Sequence, residues 1–547
     1  MKKIFYSFFI SCLCSLPLMA QQTGNAVKNK GLQKPKLVVG IVVDQMRWDY
    51  LYRFYNRFGP AGFKRLLNQG FSCENTFLPY LPTYTAVGHT CVYTGSVPAI
   101  HGIIGNNWYD RSLNRNMYCS EDTSVRAVGG AEKAGKMSPA NLLTTTITDE
   151  LRLASNFKSK VIGIALKDRG AIFPAGHSAN AAYWYDNGNW MTSNYYMEEL
   201  PAWVNNYNAK QIPEKTMEGT WNTLYPINTY TQSTADDKTY EAGITGIRGN
   251  TFPYHLDSAG KKKFEAFKCT PFAANYTFDF AKAVIDNEKM GATDATDFLC
   301  VSISSTDYAG HAFGPNSIEI EDTYLRLDQD IENFLKFLDQ KTGKGNYTVF
   351  LTADHAVAHV PGFLRENKIP AGFYSDSELQ MQLNEAISRL TGFSQSITKI
   401  MNYQVYLNNE GIEQAGQNRA HIVAIIKKEL LKKPFISGVY ELPQIMNETI
   451  AQPMRERMIN GYNEKRSGDI QWLTLPGYFS GTARGTTHGT WNAYDAHIPL
   501  LFYGWGIQPG KLNREVYMTD IAPTIAALLH IQMPNGTVGK VIEEVIK

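Results

Sequence analysis

Runs of consecutive apolar residues are the strongest structural pattern in this chain. They are short, mostly rich in Val and Ile, and they lie within 36–44, 161–166, 297–304, 348–351 and 498–503. Consecutive apolar residues are typical of strands that are buried on both faces of a parallel sheet, whereas a half-exposed strand alternates apolar and polar residues. The runs therefore predict a central sheet whose strands are covered on both sides.

Helical periodicity separates these runs. Apolar residues recur three and four positions apart at 276–290, 318–340 and 520–529. Strands that alternate with amphipathic helices predict the α/β class, here a central, mostly parallel sheet flanked by helices. The strand, helix and strand between 297 and 351 should form a right-handed unit.

Two segments interrupt this alternation. Residues 181–269 are rich in Tyr, Trp, Asn, Gly and Thr and have weak periodicity, whereas residues 361–481 contain two helical patterns, at 376–390 and 421–432, and short strand-like pieces. We interpret both as inserted subdomains of one α/β domain that spans 21–547. Aromatic residues of the first insertion could contact the organic part of a substrate, or simply pack within the insertion.

The first 20 residues have the layout of a secretory signal peptide. Lys2 and Lys3 precede an apolar run, and Ala20 is the expected last residue removed. A lipoprotein anchor at Cys12 or Cys14 is the alternative, but apolar residues continue past both. We therefore expect an exported, periplasmic protein with no membrane span.

Charge and cysteine content limit the partners. The chain has 53 Lys and Arg residues against 51 Asp and Glu residues, and its leader carries two of the lysines, so no global basic field for nucleic acid exists. Cysteines beyond the leader allow one or two disulfides in an exported protein, and none has a CxxC zinc spacing. We expect a monomer that binds a small molecule and no nucleic acid.

Carboxylates and imidazoles stand directly after several apolar runs. Asp44 ends the first run, Asp307 and His311 follow the third, and Asp354 and His355 follow the fourth. Taken one at a time, each has an ordinary interpretation as a helix cap or a solvated side chain. Because the carboxyl ends of parallel strands meet at one edge of a sheet, we expect these side chains to lie close together.

A sixth donor, His488, is flanked by small residues and Gly, which would give its imidazole access to a ligand. With the other five it completes a set of three carboxylates and three imidazoles. Zinc accepts such nitrogen and oxygen ligands, and two divalent ions can clamp the attacking and leaving oxygens of a phosphoryl displacement. The set is large enough for two ions with positions left open for a substrate.

A threonine-rich segment before a predicted helix supplies candidate nucleophiles. Thr85 lies where a helix N-terminus would favour a neighbouring anion, but Thr83 and Thr90 compete with it, and the pattern alone does not choose among them. Asn106, after a tight glycine turn, could offer an amide donor or be a simple turn residue.

Two cations follow the apolar run at 161–166. Lys167 and Arg169 alternate, so in an extended segment both side chains would point the same way. Such a pair suits a multiply charged oxyanion, because Arg can engage two oxygens at once. As isolated charges, both would be surface residues.

The ordered set of motifs resembles the alkaline phosphatase superfamily. The match is closest to its exported bacterial phosphate-irrepressible alkaline phosphatases with a threonine nucleophile, and it runs from about residue 36 to the last predicted helix. The residues that carry the resemblance are Asp44, 85–89 (Thr-Ala-Val-Gly-His), 100–106, 167–169, 307–311, 352–355 and 487–489.

The resemblance implies a role for each candidate residue. It implies one zinc ion held by Asp44, Asp354 and His355 beside Thr85, which would be both a ligand and the nucleophile. It implies a second zinc ion held by Asp307, His311 and His488. Hydrolysis of a phosphate monoester would pass through a phosphothreonine, with the non-bridging oxygens held by Asn106, Lys167 and Arg169.

Other activities remain possible. Nucleotide pyrophosphatases of the same superfamily cleave diesters, but by family comparison they lack a Lys-x-Arg pair of this kind. A monoester carries nearly two negative charges and a diester only one, so Lys167 and Arg169 favour the monoester. The Cys-x-Pro-x-Arg motif of sulfatases does not occur. A non-catalytic zinc-binding protein would leave Thr85 without a purpose.

Overall fold

The computed structural model describes residues 33–546, and the signal peptide expected at 1–20 lies outside them. Its strands, numbered along the chain, are β1 Leu37–Val43, β2 Phe71–Phe77, β3 Asn107–Asp110, β4 Arg115–Tyr118, β5 Ala127–Val128, β6 Val161–Ala165, β7 Ala181–Asp186, β8 Asn189–Ser193, β9 Thr220–Trp221, β10 Tyr254–His255, β11 Asp297–Ile303, β12 Tyr347–Thr352, β13 Gly372–Tyr374, β14 Ile397–Met401, β15 Gln404–Leu407, β16 Ile436–Glu441, β17 Ile470–Thr474, β18 Tyr478–Ser480, β19 His497–Ile498, β20 Leu500–Gly504 and β21 Gly510–Tyr517.

The α-helices of the described residues are α1 Tyr50–Arg53, α2 Phe63–Gln69, α3 Thr85–Thr94, α4 Pro98–His101, α5 Glu132–Gly135, α6 Ile147–Ala154, α7 Asp168–Ala175, α8 Ala202–Asn208, α9 Ile212–Thr216, α10 Lys263–Lys268, α11 Phe272–Glu288, α12 Ser305–Phe313, α13 Ile318–Leu338, α14 Pro361–Glu366, α15 Asp376–Thr391, α16 Asn409–Gln414, α17 Arg419–Leu431, α18 Gln452–Gly461, α19 Ala493–Ala496 and α20 Ile521–Leu529.

Five parallel strands form the centre of the main sheet, in the order β12-β1-β11-β6-β7. The strands end level, because Val43 of β1 pairs with Ile303 of β11. Antiparallel strands extend the centre, with β20, β2 and β19 on one side and β8 and β5 on the other, and β21 runs parallel to β2. The predicted α/β class and mostly parallel central sheet are confirmed.

The central strands are buried because helices cover both faces of the sheet. Every residue of β1, β11 and β12 is buried, as their uninterrupted apolar sequences predict. The long helix α13 contributes an apolar stripe that includes Leu327, Ile331 and Phe334, all fully buried in the main core. The strands therefore hold the residues that follow them on a rigid base.

Several predicted elements differ from the observed ones at their ends. The helix predicted at 318–340 is Ile318–Leu338 followed by a π-helical turn, Asp339–Gly343. The helix predicted at 276–290 begins four residues earlier, at Phe272. The run at 498–503 is divided between β19 and β20, and β20 is antiparallel to β12.

Residues 181–193 differ from the prediction in kind. The sequence predicts that they open an insertion, but they form β7 and β8, which continue the central sheet beyond β6. Their aromatic side chains are strand residues: Tyr183, Trp184 and Trp190 are all buried. Aromatic residues favour strands when they pack on a covered face, and the weak periodicity of the segment concealed this.

Residues 361–481 build a small sheet of their own. Strands β14, β15, β17 and β16 pair antiparallel in that order. Helices α15 and α17 pack with this sheet around a hydrophobic cluster that is separate from the main core and includes Leu383, Ile426 and Trp472. The two helical patterns and the two strand-like pieces expected in this segment all correspond to elements of the structure.

The five cysteines in the described part of the chain are buried free thiols, so the disulfides that the sequence allows are not formed there. Within the same residues, no helix has both the length and the apolar composition that a membrane crossing requires.

Candidate active site

The sequence-predicted site residues meet at the carboxyl edge of the central sheet. Asp44 follows β1, Lys167 follows β6, and Asp354 follows β12. Asp307 lies in the first turn of α12, directly after β11, and His488 comes from the loop between β18 and α19. Because the central strands are parallel and end level, one edge collects residues that are far apart in the sequence.

The first group of donors consists of Asp44, Asp354 and His355. Each offers one ligand atom, and these atoms lie within 4.8 Å of one another. His355 Nε2 is 3.4 Å from Asp354 Oδ2 and 3.6 Å from Asp44 Oδ1. Both carboxylate oxygens are buried, and no residue of 33–546 forms a hydrogen bond with them. Buried polar atoms normally form hydrogen bonds, so two buried oxygens without one indicate a site for a ligand.

The second group consists of Asp307, His311 and His488, which also offer ligand atoms within 4.8 Å of one another. Asp307 Oδ1 is 3.2 Å from His311 Nε2 and 3.7 Å from His488 Nε2. The two groups are neighbours, because the rings of His355 and His488 stack with their centroids 3.5 Å apart.

Backbone carbonyl groups determine the tautomer of all three imidazoles. The Nδ1 atoms contact carbonyl oxygens at 3.0 Å in His355, 2.8 Å in His311 and 2.7 Å in His488. A carbonyl oxygen can only accept, so each Nδ1 carries the hydrogen and each Nε2 presents a lone pair. Lone pairs that face carboxylate oxygens need a cation between them, and a carbonyl behind the ring is the usual outer contact of a metal-bound histidine.

The electrostatics agree with this assignment for His355 and His488, whereas the charge of Asp307 raises the pKa of His311 despite its burial. Burial and the repulsion of Asp307 and Asp354 raise the pKa of Asp44 well above its ordinary value. Burial lowers the pKa of His488 well below its ordinary value, and it also lowers the pKa of His355. Neutral imidazoles and crowded buried carboxylates are what a divalent cation would stabilise.

Thr85 is the first residue of α3, and its hydroxyl faces the first group: Oγ1 is 3.3 Å from His355 Nε2. The two competing hydroxyls are engaged elsewhere. Those of Thr83 and Thr90 donate to backbone carbonyl oxygens at 2.9 Å and 2.7 Å. Of the three threonines, Thr85 is therefore the one whose hydroxyl faces the metal-ligand candidates.

Lys167 and Arg169 do not share a single target. Lys167 precedes α7 and Arg169 is its second residue, so the expectation of an extended segment that aligns both side chains is wrong. Lys167 Nζ lies 2.6 Å from Asp44 Oδ2 and 2.6 Å from Asp307 Oδ2, one oxygen from each donor group. Arg169 Nη1 donates to the Tyr118 hydroxyl at 2.9 Å.

Asn106 is held against the start of α3. Its Oδ1 accepts the backbone N–H of Ala86 at 2.9 Å, one residue from Thr85. The side-chain nitrogen is then the group that can donate to a ligand. Asn106 thus lies beside Thr85, as the sequence analysis requires for an amide donor.

Gln45 is a site residue that the sequence analysis did not identify. Its φ of 67° lies in the left-handed region, which is uncommon for a residue other than glycine. In this conformation its backbone N–H donates to Asp354 Oδ1 at 3.1 Å, and its side-chain amide donates to Asp307 Oδ1 at 2.6 Å. Gln45 therefore connects the two donor groups. Only its position directly after a strand-terminating Asp could have indicated this role.

His89 belongs to one of the motifs but received no role from the sequence. It is fully buried, with Nδ1 3.2 Å from Asp354 Oδ2 and Nε2 2.8 Å from the hydroxyl of Ser302. It lies one helical turn after Thr85, whose carbonyl oxygen is 3.0 Å from the same Nδ1. His89 therefore connects the start of α3 to Asp354.

Two glycines permit close approaches at the site. A Cβ on Gly88 of α3 would lie 2.2 Å from the Asp354 carbonyl oxygen, and a Cβ on Gly310 of α12 would lie 1.8 Å from Gln45 Oε1. The first distance is to a backbone atom and leaves no room for a side chain, whereas the second is to the flexible end of Gln45, which would have to move away from Asp307. The glycines are needed because the nucleophile helix and the second donor group pack directly on the residues that follow β12 and β1.

Accessibility defines the open side of the site. Asp44 and Thr85 are 0% and 1% exposed. His311, Asn106 and Arg169 are half-buried. A substrate would therefore reach Thr85 from the side on which these three residues lie.

The family model for type I phosphodiesterase / nucleotide pyrophosphatase matches residues 38–497, and the chain belongs to that family. The match covers the five central parallel strands, from the second residue of β1 onward, and every candidate site residue. With the relatives described next, it confirms the resemblance to the alkaline phosphatase superfamily.

Three relatives cover nearly the whole chain. The chain is 51% identical over 551 residues to alkaline phosphatase PhoV of Synechococcus elongatus, covering 98% of this chain and 100% of the relative. It is 52% identical over 550 residues to a Myroides odoratus protein named calcium-transporting ATPase, covering 99% and 100%. The crystal structure of wild type alkaline phosphatase PafA is 49% identical, with a TM-score of 0.92 and coverage of 94% and 100%.

Proposed function

We propose that this protein is an alkaline phosphatase that hydrolyses phosphate monoesters and releases inorganic phosphate. The observation that carries the proposal is that three carboxylates and three imidazole lone pairs form two neighbouring donor groups, with the Thr85 hydroxyl facing one of them. Two of the three relatives described above are named alkaline phosphatases, and each is covered over its full length.

Two zinc ions fit the residues present. Zinc binds neutral imidazole nitrogen and carboxylate oxygen, and no residue of 33–546 forms a hydrogen bond with the buried oxygens Asp44 Oδ1 and Asp354 Oδ2, although His89 Nδ1 lies 3.2 Å from the latter. Asp44, Asp354, His355 and Thr85 would hold one ion, and Asp307, His311 and His488 the other. When bound, two such ions favour an ionised oxygen nucleophile and stabilise charge on the phosphoryl oxygens.

Thr85 is the proposed nucleophile. Its Oγ1 would form a bond to phosphorus while the bond to the ester oxygen breaks, so that the alcohol leaves and a phosphothreonine remains. Water would then break the bond between Thr85 and phosphorus and release inorganic phosphate. The N-terminus of α3 favours negative charge at this position throughout.

Asn106, Lys167 and Arg169 are the proposed contacts of the non-bridging oxygens. A transferred phosphoryl group spreads its charge over these oxygens, and preorganised donors stabilise that charge without reorganisation. Two cations match the nearly double charge of a monoester better than the single charge of a diester. We therefore assign the monoester as the main substrate class.

A nucleotide pyrophosphatase or phosphodiesterase is the second candidate, favoured by the description of the matching family model. It would use the same donors and the same nucleophile but would gain less from Lys167 and Arg169. A non-catalytic zinc-binding protein would give the hydroxyl of Thr85 no role.

We also propose that the protein is exported to the periplasm and acts as a monomer on small phosphate esters. The layout of residues 1–20 supports export. The separate sheet and hydrophobic cluster of residues 361–481 support an inserted subdomain there. For 181–269, the part that follows β8 has a two-stranded sheet of its own, β9 and β10, but its buried residues belong to the main core.

The proposed function is tested by three assays on one purified sample, together with its metal content. We expect about two zinc ions per chain, and monoester hydrolysis that is much faster than diester or sulfate ester hydrolysis. A chelator should abolish turnover and zinc should restore it. A sample that holds two zinc ions but cleaves the diester faster than the monoester would favour the second candidate. Retention of full turnover after metal removal would contradict both.

A further inference from the structure

The hairpin formed by β3 and β4 connects two proposed phosphate contacts. It starts immediately after Asn106 and ends at Tyr118, and its first and last residues, Asn107 and Tyr118, pair across the two strands. The next backbone N–H, that of Cys119, donates to the Asn106 carbonyl oxygen at 3.0 Å. The two ends of the hairpin are therefore held together beside Asn106.

The Tyr118 hydroxyl lies between two charged groups of α7. It accepts a hydrogen bond from Arg169 Nη1 at 2.9 Å and donates one to Asp168 Oδ1 at 2.7 Å. The Ser120 hydroxyl donates to the same Asp168 oxygen at 3.0 Å. A phenol can accept and donate at once, so Asp168 orients the hydroxyl with its lone pairs toward the guanidinium.

This contact determines how firmly Arg169 is held. Within residues 33–546, the Tyr118 hydroxyl is the hydrogen-bond partner of the Arg169 side chain, whose Nε is buried without one. A guanidinium fixed at one nitrogen keeps its remaining donors for a ligand. The loss of that fixed point would let the side chain adopt other rotamers.

The small sheet of residues 361–481 holds the hairpin from its outer side. Arg111, in the turn of the hairpin, forms an ion pair with Asp469 at 3.0 Å and donates to the Ser467 carbonyl oxygen at 2.8 Å. Asn402 donates to the Asn107 carbonyl oxygen at 2.7 Å. The hairpin is therefore anchored at its turn and at its base.

We propose that Tyr118 is a positioning residue that fixes Arg169 for contact with phosphate, and that the β3–β4 hairpin thereby couples Arg169 to Asn106. The inference rests on the proposed function, because it assigns Arg169 to the phosphate group. Tyr118 acts through Arg169 and not on the ester itself. The inserted small sheet gains a role in this arrangement, because it supports the hairpin.

The test is Tyr118→Phe, which removes the hydroxyl and keeps the ring. A hydrogen bond to a charged group is worth enough to change rates by about 10- to 100-fold. We expect kcat/KM for a monoester to fall within that range and inhibition by inorganic phosphate to weaken in parallel. Diester cleavage should change less than about threefold, because one negative charge depends less on Arg169.

Tyr109→Phe is the matched control. Tyr109 lies on the same hairpin, but its hydroxyl donates to Asn114 at the exposed turn. This variant should keep wild-type kinetics. An equal loss in Tyr109→Phe and Tyr118→Phe would mean that the hairpin needs its tyrosines for folding alone, and would overturn the proposal.

A double-mutant cycle with Arg169→Ala separates positioning from general damage. Tyr118→Phe should cost little further activity once Arg169 is absent. A loss of the same size in both backgrounds would overturn the proposal.

If Tyr118→Phe does not fold, Asp168→Asn weakens the acceptor that orients the hydroxyl and should give a smaller loss with the same substrate dependence. A wild-type protein without monoester turnover would refute the proposed function, whereas normal wild-type turnover with an unaffected Tyr118→Phe refutes only this inference.

Discussion

The three site histidines share one orientation, with Nδ1 toward a backbone carbonyl and Nε2 toward a carboxylate. The sequence could indicate the set of donors, because carboxylates and imidazoles follow several of the apolar runs. It could not predict the tautomers. The carbonyl partners of His311 and His488 belong to Thr486 and Thr83, which only the folded chain brings into position.

At the residue scale, Thr85→Ala should reduce monoester turnover by at least about a thousandfold, because it removes the attacking oxygen. Zinc content should remain, since the carboxylate and imidazole ligands are unchanged. Thr90→Ala, in the same helix, is the control and should keep its turnover, because the Thr90 hydroxyl bonds only to the helix backbone. Steady-state kinetics and metal analysis of both variants check this, and normal turnover of Thr85→Ala would exclude Thr85 as the nucleophile.

Gln45→Met should weaken metal binding without removing a ligand. Met has nearly the length of Gln but cannot donate to Asp307 Oδ1, so the carboxylate loses the contact that orients it. Loss of an outer contact of this kind typically costs about 10- to 100-fold in metal affinity. Competition with a calibrated chelator measures the affinity. An affinity equal to that of the wild-type protein would show that Gln45 does not support the donor groups.

At the element scale, the site depends on how closely α3 packs on the residues after β12. Gly88 makes this approach possible, because no Cβ fits beside the Asp354 carbonyl oxygen. Gly88→Ala should move the start of α3, with Thr85, away from His355. We expect a loss of stability of about 1–3 kcal/mol and a clear fall in kcat.

Gly219→Ala is a suitable control for that substitution, because a Cβ there has no neighbour closer than 3.4 Å. Denaturant unfolding and steady-state kinetics on both variants make the comparison. If Gly88→Ala behaved like Gly219→Ala, the helix and the strand end would not be in the tight contact described here.

Elements were predictable where one physical cause dominates. The apolar runs predicted β1, β6, β11 and β12, because burial on both faces of a sheet favours apolar residues at most positions. The conformation of 167–169 was not predictable, because a helix start and an extended segment differ by little in local preference. The sequence did not indicate Gln45 because its contacts, Asp307 and Asp354, follow two other strands and come close only in the folded chain.

At the scale of the whole molecule, the extent of the central sheet exceeded what the sequence indicated. β7 and β8 are rich in aromatic and polar residues, and their burial depends on helices that come from later in the chain, such as α11. The local sequence pattern does not show whether helices from distant parts of the chain will cover a strand. The order of the parallel strands likewise depends on long-range packing.

A buried carboxyl makes stability depend on pH. Asp330 on α13 accepts a hydrogen bond from Asn275 at 2.8 Å, and burial raises its pKa from 3.8 to about 7. Between these values the folded protein binds a proton that the unfolded chain has lost, so the free energy of unfolding falls as pH rises through this interval. Above it, the buried charge costs at most about 4 kcal/mol.

Asp330→Asn should therefore stabilise the protein at pH 9 and leave its stability nearly unchanged at pH 4, where Asp330 is already neutral. Urea unfolding of both proteins at the two pH values measures the difference. Any effect of pH on metal binding is the same in the wild-type protein and in Asp330→Asn, so it cancels from the difference in stability. A difference that is the same at both pH values would contradict the raised pKa.

The central claim is that Thr85 carries the phosphoryl group between the ester and water. The most direct measurement is the stereochemical course at phosphorus, when a monoester with an isotopically chiral phosphoryl group transfers it to an added alcohol. Two successive in-line displacements, with Thr85 as the intermediate carrier, predict net retention of configuration. Net inversion would mean that the acceptor attacks phosphorus directly, and would contradict the account.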